Sequence, residues 1–270
     1  MKSVFFISDR TGITTESLGN ALLTQFGSVD FRREVMPFVD TVHKADQAIM
    51  KINNHYMHEG IRPIVFTSII NPEIRNKFKL NYVCYMDFFE SFIPALEEEM
   101  GQQASLAIGQ SHGISDEGKY YKRIDAIDYS LYNDDGVTSK NFDEADVILI
   151  GVSRVGKTPT CLYLAINYGI KAANYPLAET DLKHDKLPKA LVPHHGKLFG
   201  LTIDVDRLHF IRTNRLPNTE YAKISTCTSE IAAAEHIMQV YDIPYLNTSR
   251  RSIEEIAVAI MQSINLHRKF

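Results

Sequence analysis

The sequence predicts an α/β protein made of two parallel-sheet units in tandem, and three observations predict it. Short apolar runs alternate with stretches of helical period from the start of the chain. Between Gly101 and Tyr120 the alternation gives way to Gln, Gly, Ser, Asp and Lys without a sustained period. An apolar run from Asp146 to Val152 then opens a second round of alternation. A crossover that returns the chain to a parallel neighbour needs a dozen or more residues, normally a helix, so alternation of this kind places helices on the faces of a parallel sheet.

The elements follow in order. Ser3 to Ser8 (SVFFIS) is a β-branched and aromatic run, and Thr14 to Phe26 (TTESLGNALLTQF) sets Leu18, Ala21, Leu22 and Phe26 on one helical face. Arg32 to Val39 (RREVMPFV) reads as a second strand, TVHKADQAIMKINNHYMHEG as a second helix stopped by Gly60, and Arg62 to Ile69 (RPIVFTSI) as a third strand. VCYMDFFESFIPALEEEM continues as a strand or helix entry and then a helix ending near Gly101. Residues 1–105 therefore read as an N-terminal, Rossmann-like α/β domain. Residues 106–140 read as a connecting segment or long functional loop, with a helix from Tyr120 to Tyr132 and a turn, NDDG. Residues 141–270 form the second domain, with strands DVILIGV, KAANYPL, LFGLTID and IPYLNTS and helices around Val205–Asn214 and Thr228–Tyr241. A last helix starts at Ser252, where Ser252 as N-cap and Glu255 three residues on make a capping box.

Composition excludes several classes. With 44% hydrophobic and 23% charged residues the chain is globular, neither disordered nor fibrous. Its 29 basic and 33 acidic residues give a net charge of −4 and form no basic stripe, so nucleic acid is not an expected partner. The opening MKSVFFISDRTG has too short an apolar run for a signal peptide, and the other apolar runs fall short of the roughly 18 residues of a membrane span. Cys84, Cys161 and Cys227 are widely spaced and odd in number, which suits reduced thiols in a cytoplasmic protein. Exposed surface on two α/β units makes a homodimer reasonable.

The chemistry concentrates in Gly151, Val152, Ser153, Arg154, Val155, Gly156, Lys157 and Thr158, which fit G-x-x-x-x-G-K-[ST] at every fixed position. A strand delivers this loop and a helix leaves it, the context the pattern requires. Glycines let backbone N–H groups turn toward phosphate and the helix start adds positive partial charge. Lys157 bridges terminal phosphates, and the Thr158 hydroxyl can ligate Mg²⁺. Pro159 costs nothing in a first helical turn, where its N–H would have no intrahelical partner. The expected ligand is a nucleoside polyphosphate.

Other residues are weighed against that loop. Asp143 to Asp146 spells DEAD, but it precedes the loop and sits at the wrong end of its strand, so it reads as solvated charge. Asp204 ends LFGLTID at a strand's carboxyl edge. It is either a magnesium ligand and general base or the N-cap of the following helix. Arg207, Arg212, Arg215, Arg250 and Arg251 are candidates for neutralising transferring phosphate, while His194-His195-Gly196 reads as a surface loop without zinc spacing. The N-terminal turn SDRTGITTE offers Ser8, Thr11, Gly12 and Thr14 as a second anion cradle, a reading that ordinary turn chemistry also explains.

Taken together, FFISDRTGIT, RPIVFTSIINPEIR, RIDAIDYSLYNDDG, VILIGVSRVGKTPTCLYLAINYGIKAANYPL, KLFGLTID and SIEEIA resemble the bacterial phosphoenolpyruvate synthase regulatory proteins, relatives of the pyruvate, phosphate dikinase regulatory proteins. GIKAANYPL and AIDYSLYNDDG are closer to the synthase branch. The resemblance implies a P-loop kinase-like C-terminal domain and two activities on one target enzyme, phosphoenolpyruvate synthase. These are phosphorylation of a threonine with ADP as donor, which inactivates the target, and removal of that phosphate with inorganic phosphate as acceptor and pyrophosphate as product. It places the nucleotide on Gly151 to Thr158; the chemistry of the residues themselves offers Lys157 and Asp204 as catalytic groups and Thr158 and Asp204 as Mg²⁺ ligands. The Ser8 to Thr14 turn or Arg154 would serve the second anion. Two departures stand out, Arg10 in place of a small residue and the basic stretch NTSRRS. Rival readings are the same activities on pyruvate, phosphate dikinase, a P-loop kinase of a small metabolite, and a non-catalytic nucleotide-gated module; a guanine-reading N-K-x-D is absent, since Asn76-Lys77 runs into Phe78-Lys79.

Overall fold

The computed structural model describes residues 1–106, 117–134, 139–184 and 186–269, which divide into two compact units, Met1–Gly113 and Ile114–Phe270. Within the polar stretch between Gly101 and Tyr120, residues 107–116 lie outside the described residues, as do Asp135 and Gly136 of the expected NDDG turn.

In the first unit β1 (Lys2–Ser8), α1 (Ile13–Leu23), β2 (Phe31–Met36), α2 (Val42–Glu59), β3 (Ile64–Ser68), α3 (Pro72–Asn76), β4 (Cys84–Asp87) and α4 (Phe88–Met100) build a four-stranded sheet in the order β2-β1-β3-β4. Every pairing is parallel. β1 is buried along almost its whole length, as a strand covered on both faces must be. Its alternate residues serve two cores: Phe5 and Ile7 pack with Ala45, Ala48 and Ile52 of α2, and Val4 and Phe6 pack with Leu23 of α1 and Phe66 of β3.

Two expectations change here. β2 stops at Met36, short of Val39, because Pro37 has no N–H for the ladder and Phe38 turns to φ +57. The chain instead returns to the sheet edge, where the Phe38 and Val39 N–H groups donate to the carbonyls of Arg10 and Ser8. The buried face of α1 is also not the expected one. It is Thr15, Gly19 and Leu23, while Leu18, Leu22 and Phe26 are 37%, 44% and 59% exposed. Gly19 is the reason: a Cβ there would lie 2.4 Å from the Phe6 ring, so the helix comes closest to the sheet along its smallest residues.

The second unit contains α5 (Glu117–Tyr132), β5 (Val147–Gly151), α6 (Lys157–Tyr168), β6 (Ala172–Pro176), the short α7 (Glu179–Leu182), β7 (Leu198–Thr202), α8 (Val205–Arg215), α9 (Ile224–Val240), β8 (Tyr245–Asn247) and α10 (Ile253–Ser263). Its sheet has the order β6-β5-β7-β8, again all parallel. α5, which the sequence places in a connecting segment, packs against α6 and β6 of this unit and buries Ala126 and Tyr129. At α10 the expected capping box forms: the Ser252 hydroxyl accepts from the Glu255 N–H, and the Glu255 carboxylate accepts from the Ser252 N–H. Because β5 has β6 on one side and β7 on the other, the crevice beyond its carboxyl end is the place where a sheet of this kind binds ligands.

Candidate active site

At that crevice the glycine-bounded loop leaves the sheet. β5 is buried throughout and ends at Gly151, whose φ is +145. A Cβ at Gly151 would stand 2.2 Å from the Leu201 carbonyl oxygen of β7, so a side chain there would collide with backbone that has no room to yield. Arg154 at φ +79 and Gly156 at φ +94 complete the curl. A left-handed arginine is a strained choice, of the kind that folds retain at functional turns. Gly156 then caps α6, so the N–H groups of its first turn and the positive end of its dipole open at the loop.

Lys157, 5% exposed, folds into this loop, its ammonium donating to the carbonyls of Gly151 at 2.9 Å and Val152 at 2.8 Å. Thr158 donates its hydroxyl proton to Asp134 Oδ1 at 2.8 Å. Asn174, on β6 and 1% exposed, donates to the same Asp134 oxygen at 2.6 Å and to the Thr158 hydroxyl at 3.1 Å. The segment after α5 is itself docked on β6, since the Asn174 N–H donates to the Asn133 carbonyl at 2.9 Å. Asp134 and Asn174 fall in the NDDG turn and the KAANYPL strand, where the sequence gives neither a site role. The available signal was an asparagine inside an otherwise apolar strand, at the position in register with Leu149.

Two braces hold the loop from behind. Arg212 of α8 is fully buried, pairs with Glu230 of α9 at 2.6 Å, donates to the Ser153 carbonyl at 3.3 Å and lies 4.0 Å from the centre of the Tyr221 ring. The Tyr221 hydroxyl in turn donates to the Ser153 hydroxyl at 3.1 Å. Arg212 is thus a buried structural cation, whereas Arg207, Arg215, Arg250 and Arg251 are exposed. On the other side the Thr248 hydroxyl reaches the carbonyls of Val155 and Thr202, both at 3.1 Å, and so joins the loop to the ends of β7 and β8.

Asp204 stands at the N-cap position of α8, but its side chain makes no capping bond. Its carboxylate accepts from Asn247 at 2.7 Å and its N–H donates to Ser249 at 2.7 Å. It lines an open cleft of about 400 Å³ with Asp206, Arg207, Phe210, Ser249 and Arg250. The carboxylate bonded to Thr158 is therefore that of Asp134.

The remaining residues separate from this site. At the N-terminal turn Ser8 is buried and accepts from Ser68 at 3.1 Å and from the Arg10 N–H at 3.2 Å; Ser68 also bonds Thr15, which is buried, whereas Thr11 and Thr14 are exposed. Gly12 is the N-cap of α1 at φ +79, and Asp9, also buried, accepts from the Ile70 N–H. Asp143, Glu144 and Asp146 lie toward the amino end of β5, paired with His194, Lys171 and Lys269 respectively. His195 bonds the Tyr241 carbonyl. Among the described residues no three His, Cys, Asp or Glu side chains gather to hold a metal, and no helix is long and apolar enough to cross a membrane. All three cysteines are free, with Cys161 and Cys227 buried; burial pushes the Cys161 thiol up, as does the Asp134 carboxylate, so it stays protonated.

Comparison with known proteins bears directly on this geometry. The family model described as kinase/pyrophosphorylase matches residues 4–261, spanning both units. The chain belongs to the kinase/pyrophosphorylase family. It is 50% identical over 270 residues to a protein of Laribacter hongkongensis named as a phosphoenolpyruvate synthase regulatory protein, covering 100% of this chain and 98% of that one. A protein of the same name from Alkalilimnicola ehrlichii is 50% identical over 268 residues, covering 99% and 97%, and one from Legionella pneumophila is 45% identical over 266 residues, covering 98% of each. In this kinase/pyrophosphorylase chain the start of α6, Lys157 and Thr158 all stand at the loop from Gly151 to Thr158.

Proposed function

We propose that this protein regulates phosphoenolpyruvate synthase by transferring the β-phosphoryl group of ADP to a threonine of that enzyme, which inactivates it, and by removing the group again with inorganic phosphate. The observation that carries this reading is the loop with Lys157 and Thr158 in place, in a kinase/pyrophosphorylase chain whose relatives carry the synthase in their names.

In the forward direction the threonine oxygen bonds to the β-phosphorus of ADP, the bond from that phosphorus to the bridging oxygen breaks, and AMP leaves. Lys157 and the N–H groups at the start of α6 hold the two phosphates and stabilise their charge. Asp204 takes the threonine proton; its cleft carries Arg207, Phe210 and Arg250, which offer cations and an apolar ring to a docked peptide segment. In the return direction an oxygen of inorganic phosphate bonds to the phosphothreonine phosphorus, the bond to the threonine oxygen breaks, and pyrophosphate leaves. Arg154, exposed at the tip of the loop, holds this second anion; the alternative turn at Ser8 to Thr14 has the carboxylates of Asp9 and Glu16 against it. Bound Mg²⁺ would offset diphosphate charge, and the Thr158 hydroxyl is the oxygen donor of the loop that suits it. The reaction belongs in the cytoplasm, with the target enzyme.

The test begins with phosphoenolpyruvate synthase inactivated by this protein with ADP and Mg²⁺, freed of nucleotide and then given inorganic phosphate. Synthase activity should return with one pyrophosphate formed per threonine dephosphorylated. Recovery that releases only orthophosphate would refute the pyrophosphorylase half.

A further inference from the structure

Asp134 is an acid that the functional reading leaves unused, and its bonds give it a role. The Thr158 hydroxyl has one proton and two lone pairs. Asp134 takes the proton and Asn174 fills one lone pair, which leaves one directed elsewhere. Both bonds to Asp134 fall on Oδ1, and Oδ2 makes none among the described residues. The arrangement is held from two sides, since Asn174 is buried on β6 and its N–H also fixes the Asn133 carbonyl.

Among the described residues, Asp204 is engaged with Asn247, Glu230 with Arg212 and Glu235 with Thr202, each apart from Thr158. We infer that Asp134 is the metal-positioning residue of the phosphate loop. It holds the Thr158 hydroxyl so that its oxygen faces a divalent cation arriving with ADP, and it supplies the negative charge opposite that cation. This inference rests on the nucleotide reading above.

The donor chemistry fits. Mg²⁺ takes hard oxygens and is commonly held by one or two protein groups, with nucleotide phosphates and water completing its shell. Here a hydroxyl and one carboxylate stand together, and among the described residues no group of three His, Cys, Asp or Glu side chains gathers to hold a cation, so cation binding should require the nucleotide. The carboxylate comes from upstream of the loop, at the end of α5. It does not come from the strand end that carries Asp204.

Asp134→Asn separates charge from shape, because the amide oxygen can accept the same two bonds. The readout is the dissociation constant of ADP by calorimetry, in EDTA and in excess Mg²⁺, for the wild-type protein and the variant. In EDTA the variant should bind ADP as tightly as wild type or more tightly, having lost a carboxylate near the phosphates. The gain in affinity on adding Mg²⁺ should shrink by about tenfold or more, the usual cost of removing an acid that orients a metal ligand. An undiminished Mg²⁺ gain in Asp134→Asn would overturn the inference, as would loss of ADP binding in EDTA, which would make Asp134 a brace for the loop alone. Failure of the wild-type protein to bind ADP with or without Mg²⁺ would overturn the nucleotide reading beneath it.

Discussion

Replacing Lys157 with alanine is expected to lower phosphoryl transfer to the target by roughly a hundred- to a thousandfold, the usual cost of removing one preorganised donor from a transferring group. The side chain is held at the loop by the Gly151 and Val152 carbonyls, so the positive charge is in place before a ligand arrives. Loss of that charge should fall on turnover more than on the stability of the fold. The Gly151 carbonyl keeps a partner in the Leu177 N–H, and β5 keeps its ladders to β6 and β7. The measurement is initial-rate transfer at saturating ADP, with the thermal midpoint of the variant as control. An unchanged rate would remove the loop from the reaction.

The second large effect is on stability. Glu230→Ala should destabilise the protein by about 3–5 kcal/mol, the usual cost of stripping the partner from a buried charge. Arg212 is fully buried, and its remaining contacts include the carbonyls of Tyr221 and Ser153, the face of the Tyr221 ring and the neutral Cys227 thiol. None of these neutralises a cation. Because the same guanidinium holds the Ser153 carbonyl, the damage should reach the phosphate loop, and ADP affinity should fall along with the unfolding midpoint. A double replacement, Arg212→Met with Glu230→Leu, removes both charges and should recover most of the stability, because an apolar pair of similar volume is often as good as a buried ion pair. It should not recover ADP affinity, since the Ser153 anchor is gone. Urea unfolding and ADP titration of the two proteins check both statements. Equal affinity of the double variant and wild type would show that the brace is irrelevant to the loop.

What could be read in advance depended on how local the signal was. The loop from Gly151 to Thr158 was legible because its spacing encodes a strand end, a left-handed turn and a helix start within eight residues. The strands were legible because parallel strands buried on both faces are continuous apolar runs. Asp134 was hidden because its partners lie 24 and 40 residues away, and a turn rich in aspartate explains itself without them. Arg212 was hidden among its neighbours for a similar reason, although it follows Leu208 by one helical turn and so shares the buried face of α8. On α1 the apolar face was misread because hydrophobic size was taken as the guide, and packing there is decided by the absence of a side chain at Gly19. At the N-terminal turn that choice of face matters, since it is Thr15 that joins the buried Ser8 and Ser68 hydroxyls, while Thr14 of the candidate anion cradle is exposed.

The central claim is that the loop presents ADP as a phosphoryl donor. Purified protein, Mg²⁺ and phosphoenolpyruvate synthase should be incubated in parallel with ADP labelled in its β-phosphate and with ATP labelled in its γ-phosphate, and the threonines of the target then mapped for label. The account predicts label on one threonine from ADP, with AMP formed in equal amount, and none from ATP. Label from ATP alone, or turnover without any phosphothreonine, would contradict it.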